Sequence, residues 1–83
     1  MTFLERYAAE QSWHGKVIVM GIFHLAMSRR NTKWTIADTA REFGVSSGLV
    51  SENLRLSDAI DRHVDLTSKC KSRAEALHFI TGR

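Results

Sequence analysis

The sequence predicts an all-α protein, folded as a compact bundle of five or six short helices within a single domain of residues 1–83. The chain contains no proline, and 43% of its residues are apolar. Alternating apolar and polar runs, which are typical of strands, are few. No pair of such runs joined by a turn follows residue 56, so we expect no β-hairpin wing.

Two helices are expected in the N-terminal third of the chain. Thr2 and Glu5 match a capping box, in which the two side chains bond the first backbone N–H groups of a helix. The first helix should therefore run from Phe3 to about Gln11, with a break at His14-Gly15. The second, from Lys16 to Arg29, is apolar on both faces, so it must be buried on several sides or paired with a second copy of the chain.

The segment at about residues 35–56 predicts a helix-turn-helix. Thr35 and Asp38 form a second capping box, which starts the third helix. That helix should end at Gly44, because a tight turn needs a positive φ and glycine adopts it without a steric penalty. The spacing of these signals is more specific than any other pattern in the chain.

The residues around this turn have the sizes that two closely crossing helices need. Ala40 is small enough for the crossing, and Val45 and Val50 should fill the gap between the helices. Ser46 or Ser47 should cap the fourth helix. The remaining inward-facing residues of the unit are Ile36 and Phe43, with Trp34 as a wedge that packs the third helix onto the core.

The last third of the chain predicts up to two short helices. One should begin at Ser57-Asp58 and run through Ile60 to about Val64. The other should begin at a third capping box, which spans Ser72 to Glu75. Its apolar residues are Ala76, Leu77, Phe79 and Ile80.

A helix-turn-helix presents its second helix to the major groove of DNA. The residues expected to face outward and contact bases are Ser46, Ser47, Gly48, Ser51, Glu52 and Arg55. Small residues let the helix approach the groove floor, and serine, glutamate and arginine side chains can bond base edges. Pairing of Glu52 with Arg55 on the protein surface is the alternative interpretation of those two residues.

Seven further residues are expected to contact phosphates and so to set the register of the protein on DNA. They are Arg29, Arg30, Lys33, Thr35, Lys69, Lys71 and Arg73. The six cations stand in two clusters, each close to a helix start, and Thr35 lies where free backbone N–H groups attract anions. An ordinary solvated surface is the alternative interpretation of each cluster.

The stretch GVSSGLVSENLRLSDAI, followed by KSRAEALHFI, resembles the DNA-binding helical module of ParB/KorB-type partition proteins and of small phage or mobile-element regulators. The resemblance covers about residues 34–80. The shared positions are Ala40, Gly44, Ser46–Ser51 with Val50, Leu54–Leu56 and Arg73–Leu77. It implies a base-facing role for Ser46, Ser47, Ser51, Glu52 and Arg55.

The chain departs from that pattern in two places. Asn53 stands where the motif prefers an apolar residue, so Leu54 is an alternative core residue of the fourth helix. Residues 1–30 contain no glycine-rich phosphate loop, so the resemblance does not imply partition activity.

Together these patterns predict a protein that binds double-stranded DNA in a sequence-specific manner. It would be a repressor or other transcriptional regulator of a phage, plasmid or other mobile element. A single helix-turn-helix reads only a few base pairs, so a homodimer through the N-terminal helices is expected. Two alternatives remain open. The fold could serve as a protein-interaction adaptor, or the chain could be a DNA-binding fragment of a larger protein.

The composition argues against other classes of protein. A net charge of +3 and a pI near 9.5 are compatible with nucleic acid but only mildly basic. The four histidines lack metal-ligand spacing to each other or to Cys70, so we expect no metal, cofactor, small-molecule ligand or catalytic activity. The apolar run Val17–Met27 is shorter than the roughly 20 residues of a membrane span. A cytoplasmic or nucleoid-associated protein is expected.

Overall fold

The computed structural model describes residues 2–63, 65 and 69–81, and it confirms the all-α fold. The described residues contain no strand and form five helices: α1 Phe3–Ala9, α2 Trp13–Arg30, α3 Ile36–Phe43, α4 Ser47–Arg62 and α5 Arg73–Thr81. No described helix combines the length and apolar character that crossing a bilayer requires.

The first capping box is confirmed, but the boundary between α1 and α2 differs from the prediction. Thr2 Oγ1 accepts a hydrogen bond from Glu5 N at 3.1 Å, and Thr2 N donates to Glu5 Oε1 at 3.0 Å. The expected break at His14-Gly15 is wrong, because α2 already begins at Trp13. Ser12 Oγ accepts from Gly15 N at 3.3 Å, and this cap offsets the weak helix propensity of the glycine.

The expected break at Ser57-Asp58 is also wrong, since α4 continues without interruption to Arg62. Ser57 lies against Gly21 of α2, where an added Cβ would come within 2.5 Å of Ser57 Oγ. Small residues on both helices therefore allow α2 and α4 to cross closely, and Ser57 is a packing residue rather than a cap. Val64, at the expected end of this segment, lies outside the described residues.

The core consists of two clusters, and α2 contributes to both. The turn-side cluster contains Met20, Ala40 and Val50, with Tyr7, Ile36, Phe43, Val45, Leu49 and Leu54 packed against it. The α5-side cluster contains Val17, Leu56, Ala59, Cys70 and Ala76, with Trp13, Ile60, Leu77 and Ile80 around it. The prediction that α2 is buried on several sides is confirmed for these faces, but Ile22 and Leu25 remain 46% and 54% exposed.

The third capping box is only half formed. Ser72 Oγ accepts a hydrogen bond from Glu75 N at 3.2 Å, as predicted. The Glu75 carboxylate does not return to Ser72, because its Oε2 accepts from the backbone N–H of Lys71 at 2.9 Å. The start of α5 is therefore bonded through both Ser72 and Lys71.

Candidate nucleic-acid interface

The turn between α3 and α4 has the predicted geometry. Gly44 has a φ of +66°, and Val45 N donates to Ala40 O at 3.0 Å, which closes the end of α3. Among the described residues no residue other than this glycine has a positive φ. Ser46 Oγ then caps α4 by accepting from Leu49 N at 3.2 Å. These local bonds fix the direction in which α4 leaves the turn.

The third helix is held onto the core by Trp34, as the sequence predicted. Trp34 Nε1 donates to Thr39 Oγ1 at 2.8 Å, and the Trp34 ring meets Phe23 edge to face at 6.1 Å between centroids. Thr39 is fully buried, and its hydroxyl also lies 2.7 Å from His24 Nδ1 on α2. This polar contact secures α3 against α2. The turn that leads into α4 therefore follows a helix that is held on the core.

One side of the N-terminal half of α4 faces solvent, and we call its predicted base-facing residues the recognition surface. They are Ser46, Ser47, Gly48, Ser51, Glu52 and Arg55. All of them are exposed except Ser51, which is half buried. The opposite side of the same helix is packed, since Val50 and Leu56 are completely buried. The recognition surface is thus the exposed side of a helix whose other side belongs to the core.

Asn53 takes the core position that the sequence left open between Asn53 and Leu54. Its side chain is 2% exposed, whereas Leu54 is half buried. Asn53 Nδ2 donates to Met20 Sδ at 3.2 Å, and Asn53 Oδ1 accepts from Arg73 Nε at 2.7 Å. A buried amide is tolerated here because the side chain makes hydrogen bonds on both sides.

Arg73 connects this buried amide to the recognition surface. Its Nη2 donates to Glu52 Oε1 at 2.8 Å, while its Nε bonds Asn53. Glu52 therefore pairs with Arg73 of α5 and not with Arg55, the partner that the sequence suggested. We call Met20, Asn53, Arg73 and Glu52 the polar clamp. No sequence pattern joins residues so far apart; the one available signal was Asn53, a polar residue in the apolar register of α4.

The predicted phosphate-contacting residues differ in what surrounds them. Arg29 and Arg30 lie in the last turn of α2 and Lys33 in the following loop, and all three are exposed. Lys71 is also exposed, whereas the side chain of Arg73 is 29% exposed and bonded within the polar clamp. Lys69 Nζ lies 2.9 Å from Asp65 Oδ2, and this hydrogen bond raises the pKa of Lys69.

The start of α3 is less open to an anion than the sequence indicated. Thr35 N donates to Asp38 Oδ2 at 2.8 Å, and Asp38 N donates to Thr35 Oγ1 at 3.2 Å. The backbone hydrogen bond from Thr35 is the main reason that the pKa of Asp38 is lowered, so this carboxylate stays charged. Arg41 pairs with the same carboxylate. The capping box therefore already occupies the Thr35 N–H group.

We expect the polar clamp to contribute to stability, and Arg73→Met tests this. The substitution removes the donor to buried Asn53 Oδ1, and an unsatisfied buried acceptor costs about 1–3 kcal/mol of unfolding free energy. Lys71→Met is the matched control, because Lys71 is an exposed cation two residues away. Urea unfolding measures both variants. Equal stabilities for the two would show that the clamp contributes nothing.

Comparison with known proteins found no relative of this chain. No protein-family model matches the chain, and no curated protein and no solved structure is significantly similar to it.

Within the part of the chain that the structure describes, no three histidine, cysteine, aspartate or glutamate side chains lie together in a way that could hold a metal ion.

Proposed function

We propose that this protein binds double-stranded DNA in a sequence-specific manner, as a repressor or other transcriptional regulator of a phage, plasmid or other mobile element. The observation that carries the proposal is the recognition surface. It is the exposed side of a helix that begins immediately after a glycine turn, and its opposite side is anchored in the core. A helix held in this way can enter the major groove, which is about 12 Å wide, without any change of the fold.

The side chains of the recognition surface have the chemistry to bond base edges. The Ser47 and Ser51 hydroxyls donate or accept, and Arg55 can bond guanine O6 and N7. Glu52 can accept from cytosine N4, but its charge would be repelled by neighbouring phosphates. Arg73 reduces that repulsion, because its guanidinium lies 2.8 Å from the Glu52 carboxylate. The polar clamp thus supports a base-contacting role for Glu52.

Exposed cations supply the sequence-independent part of the binding. Arg29, Arg30 and Lys33 follow one another closely at the end of α2 and in the loop that leads to α3. Such residues bond phosphate oxygens and position the recognition helix along the duplex. Lys71, two residues before α5 begins, is a further exposed candidate.

In this proposal the protein acts as a homodimer. One recognition helix contacts only a few base pairs, so useful affinity requires two copies on half-sites about 34 Å apart. We assign the contact between the copies to the N-terminal helices. The assignment to a mobile-element regulator follows from the resemblance of residues 34–80 to the DNA-binding module of such proteins.

Selection of bound duplexes from a random pool, followed by a salt titration with the selected sequence, tests the proposal. We expect a palindromic sequence and a decrease of log K with log salt of about 0.9 per phosphate contact. Replacing Arg30 and Lys33 with alanine should lower that slope by about one unit per residue. Arg62→Ala is the control, because Arg62 lies at the far end of α4 and pairs with Asp58. A pool that yields no enriched sequence would contradict the proposal.

The exposed apolar residues of α2 favour one other function. Ile22 and Leu25 could bind a different protein, which would make this fold an interaction adaptor. The same experiment separates the two functions. An adaptor would bind random and selected duplexes equally weakly, and alanine substitutions in the recognition surface would change nothing.

A further inference from the structure

An apolar stripe runs along the exposed side of α2. Residues 15, 18, 22, 25 and 29 are spaced by three, four, three and four positions, which is the spacing of a coiled-coil seam. Ile18, Ile22 and Leu25 form its centre. Ile18 is half buried, whereas Ile22 and Leu25 are 46% and 54% exposed. We call residues 15, 18, 22, 25 and 29, with the Glu10 side chain that covers Gly15, the α2 seam.

The two ends of the α2 seam carry opposite charges. Glu10 fills the space beside Gly15, since an added Cβ there would clash with Glu10 Cγ and lie 2.6 Å from Glu10 Oε1. The Glu10 side chain, with its carboxylate, therefore occupies the space that a side chain at position 15 would fill. Arg29 stands at the other end, and it makes no ion pair with any other residue that the structure describes.

The charges at the two ends of the α2 seam are complementary when two copies pack antiparallel. Gly15 and Arg29 each lie seven positions from Ile22, or about 10 Å along a helix. An antiparallel copy with its two-fold axis at Ile22 would bring each Arg29 to the partner's Glu10, which would leave the phosphate contacts at this end of α2 to Arg30 and Lys33. It would also pack the three apolar residues of one copy on those of the other. A parallel copy would instead oppose like charges at both ends, which is unfavourable.

We infer that the α2 seam is the interface of a homodimer in which two α2 helices pack antiparallel around Ile22. The inference rests on the proposed function for the need to join two recognition helices, but its structural basis is the seam alone. The occupant is a second copy of this chain, because the charge order of the seam is complementary under two-fold symmetry without any other sequence. A contact made mainly by one helix of 18 residues is small, so the dimer should dissociate on dilution.

Sedimentation velocity without DNA, over a range of protein concentrations, tests the interface. We expect the wild-type chain to pass from monomer to dimer as its concentration rises. Ile22→Glu places two carboxylates on the axis and should weaken the dimer at least about tenfold. Phe79→Glu is the matched control, because Phe79 is 51% exposed on α5 and outside the seam. A wild-type chain that stays monomeric, or equal effects of the two variants, would overturn the inference.

A charge exchange tests the orientation. Glu10→Lys and Arg29→Glu alone should each weaken the dimer by about threefold to tenfold, because each opposes like charges at both ends of an antiparallel pair. The double variant should restore the wild-type dimer, since it reverses both charges. In a parallel dimer the double variant would still oppose like charges, so a failure of rescue would overturn the antiparallel arrangement. Circular dichroism confirms that each variant is folded.

The outcome can be distinguished from the outcome for DNA binding. Oligomeric state is measured without DNA, and a monomer that still selects one DNA sequence would overturn the interface while sequence-specific DNA binding stands. A dimer with the expected charge rescue that selects no DNA sequence would overturn the proposed function alone.

Discussion

A variant with Ser47, Ser51 and Arg55 all replaced by alanine is expected to lose its preference for the selected DNA sequence while it remains folded. Specific sites are typically bound about a thousandfold or more tightly than random DNA, and base contacts carry much of that difference. Each good base contact contributes about 1–3 kcal/mol of binding free energy, so the three substitutions together should remove most of it. Fluorescence anisotropy with selected and scrambled duplexes measures the ratio of affinities.

The structure explains why this variant should keep its fold. Ser47 and Arg55 are exposed, and the caps of α4 and α5 depend on other residues, Ser46 and Ser72. Arg62→Ala is the control on the same helix, since the Arg62 side chain is 73% exposed and paired with Asp58. A triple-alanine variant that still distinguishes the selected duplex from the scrambled one would mean that α4 is not the recognition helix.

Gly44→Val is expected to destabilise the fold by about 2 kcal/mol or more, because a β-branched residue strongly resists the left-handed conformation. An added Cβ at Gly44 would meet no atom within 4 Å. The cost therefore comes from the backbone at φ +66° and not from a clash. In a domain of this size each kcal/mol lowers the melting temperature by roughly 4–8 °C, so thermal unfolding measures the effect.

Gly44→Asn distinguishes the cost of holding a residue in the left-handed conformation from the effect of replacing a glycine by any other residue. Asparagine adopts positive φ far more readily than valine, so this variant should lose less than about 1 kcal/mol. Equal losses for valine and asparagine would contradict the explanation. Both variants should be measured at the same pH and salt, since the capping box at the other end of α3, Thr35 and Asp38, involves a carboxylate.

Local chemistry made the helix-turn-helix predictable. A capping residue bonds N–H groups only three positions away, and a glycine turn depends on its own φ, so Thr2, Thr35 and Gly44 could be assigned from their immediate neighbours. Solvent exposure of the recognition surface also followed, because the apolar residues of α4 fix which side is buried. These predictions needed no knowledge of the tertiary fold.

The features that could not be predicted depend on contacts between distant residues. Ser57 could act as a cap or as a small packing residue, and only the proximity of Gly21 decides between them. Glu52 and Arg73 are 21 positions apart, and nothing in the sequence selects this pair over the nearer Glu52 and Arg55. The break predicted at Gly15 is wrong because the cap at Ser12 and the covering Glu10 side chain stabilise the start of α2 there.

The polar clamp divides the proposed recognition surface into replaceable and fixed positions. Glu52 is tied through Arg73 to a buried amide, and Ser46 is tied to the start of its helix, so changes at either would cost stability as well as affinity. No described side-chain bond ties Ser47 or Arg55 to the scaffold. Retargeting to a new operator should therefore proceed through substitutions at those two positions, while the base opposite Glu52 stays the same across the altered operators.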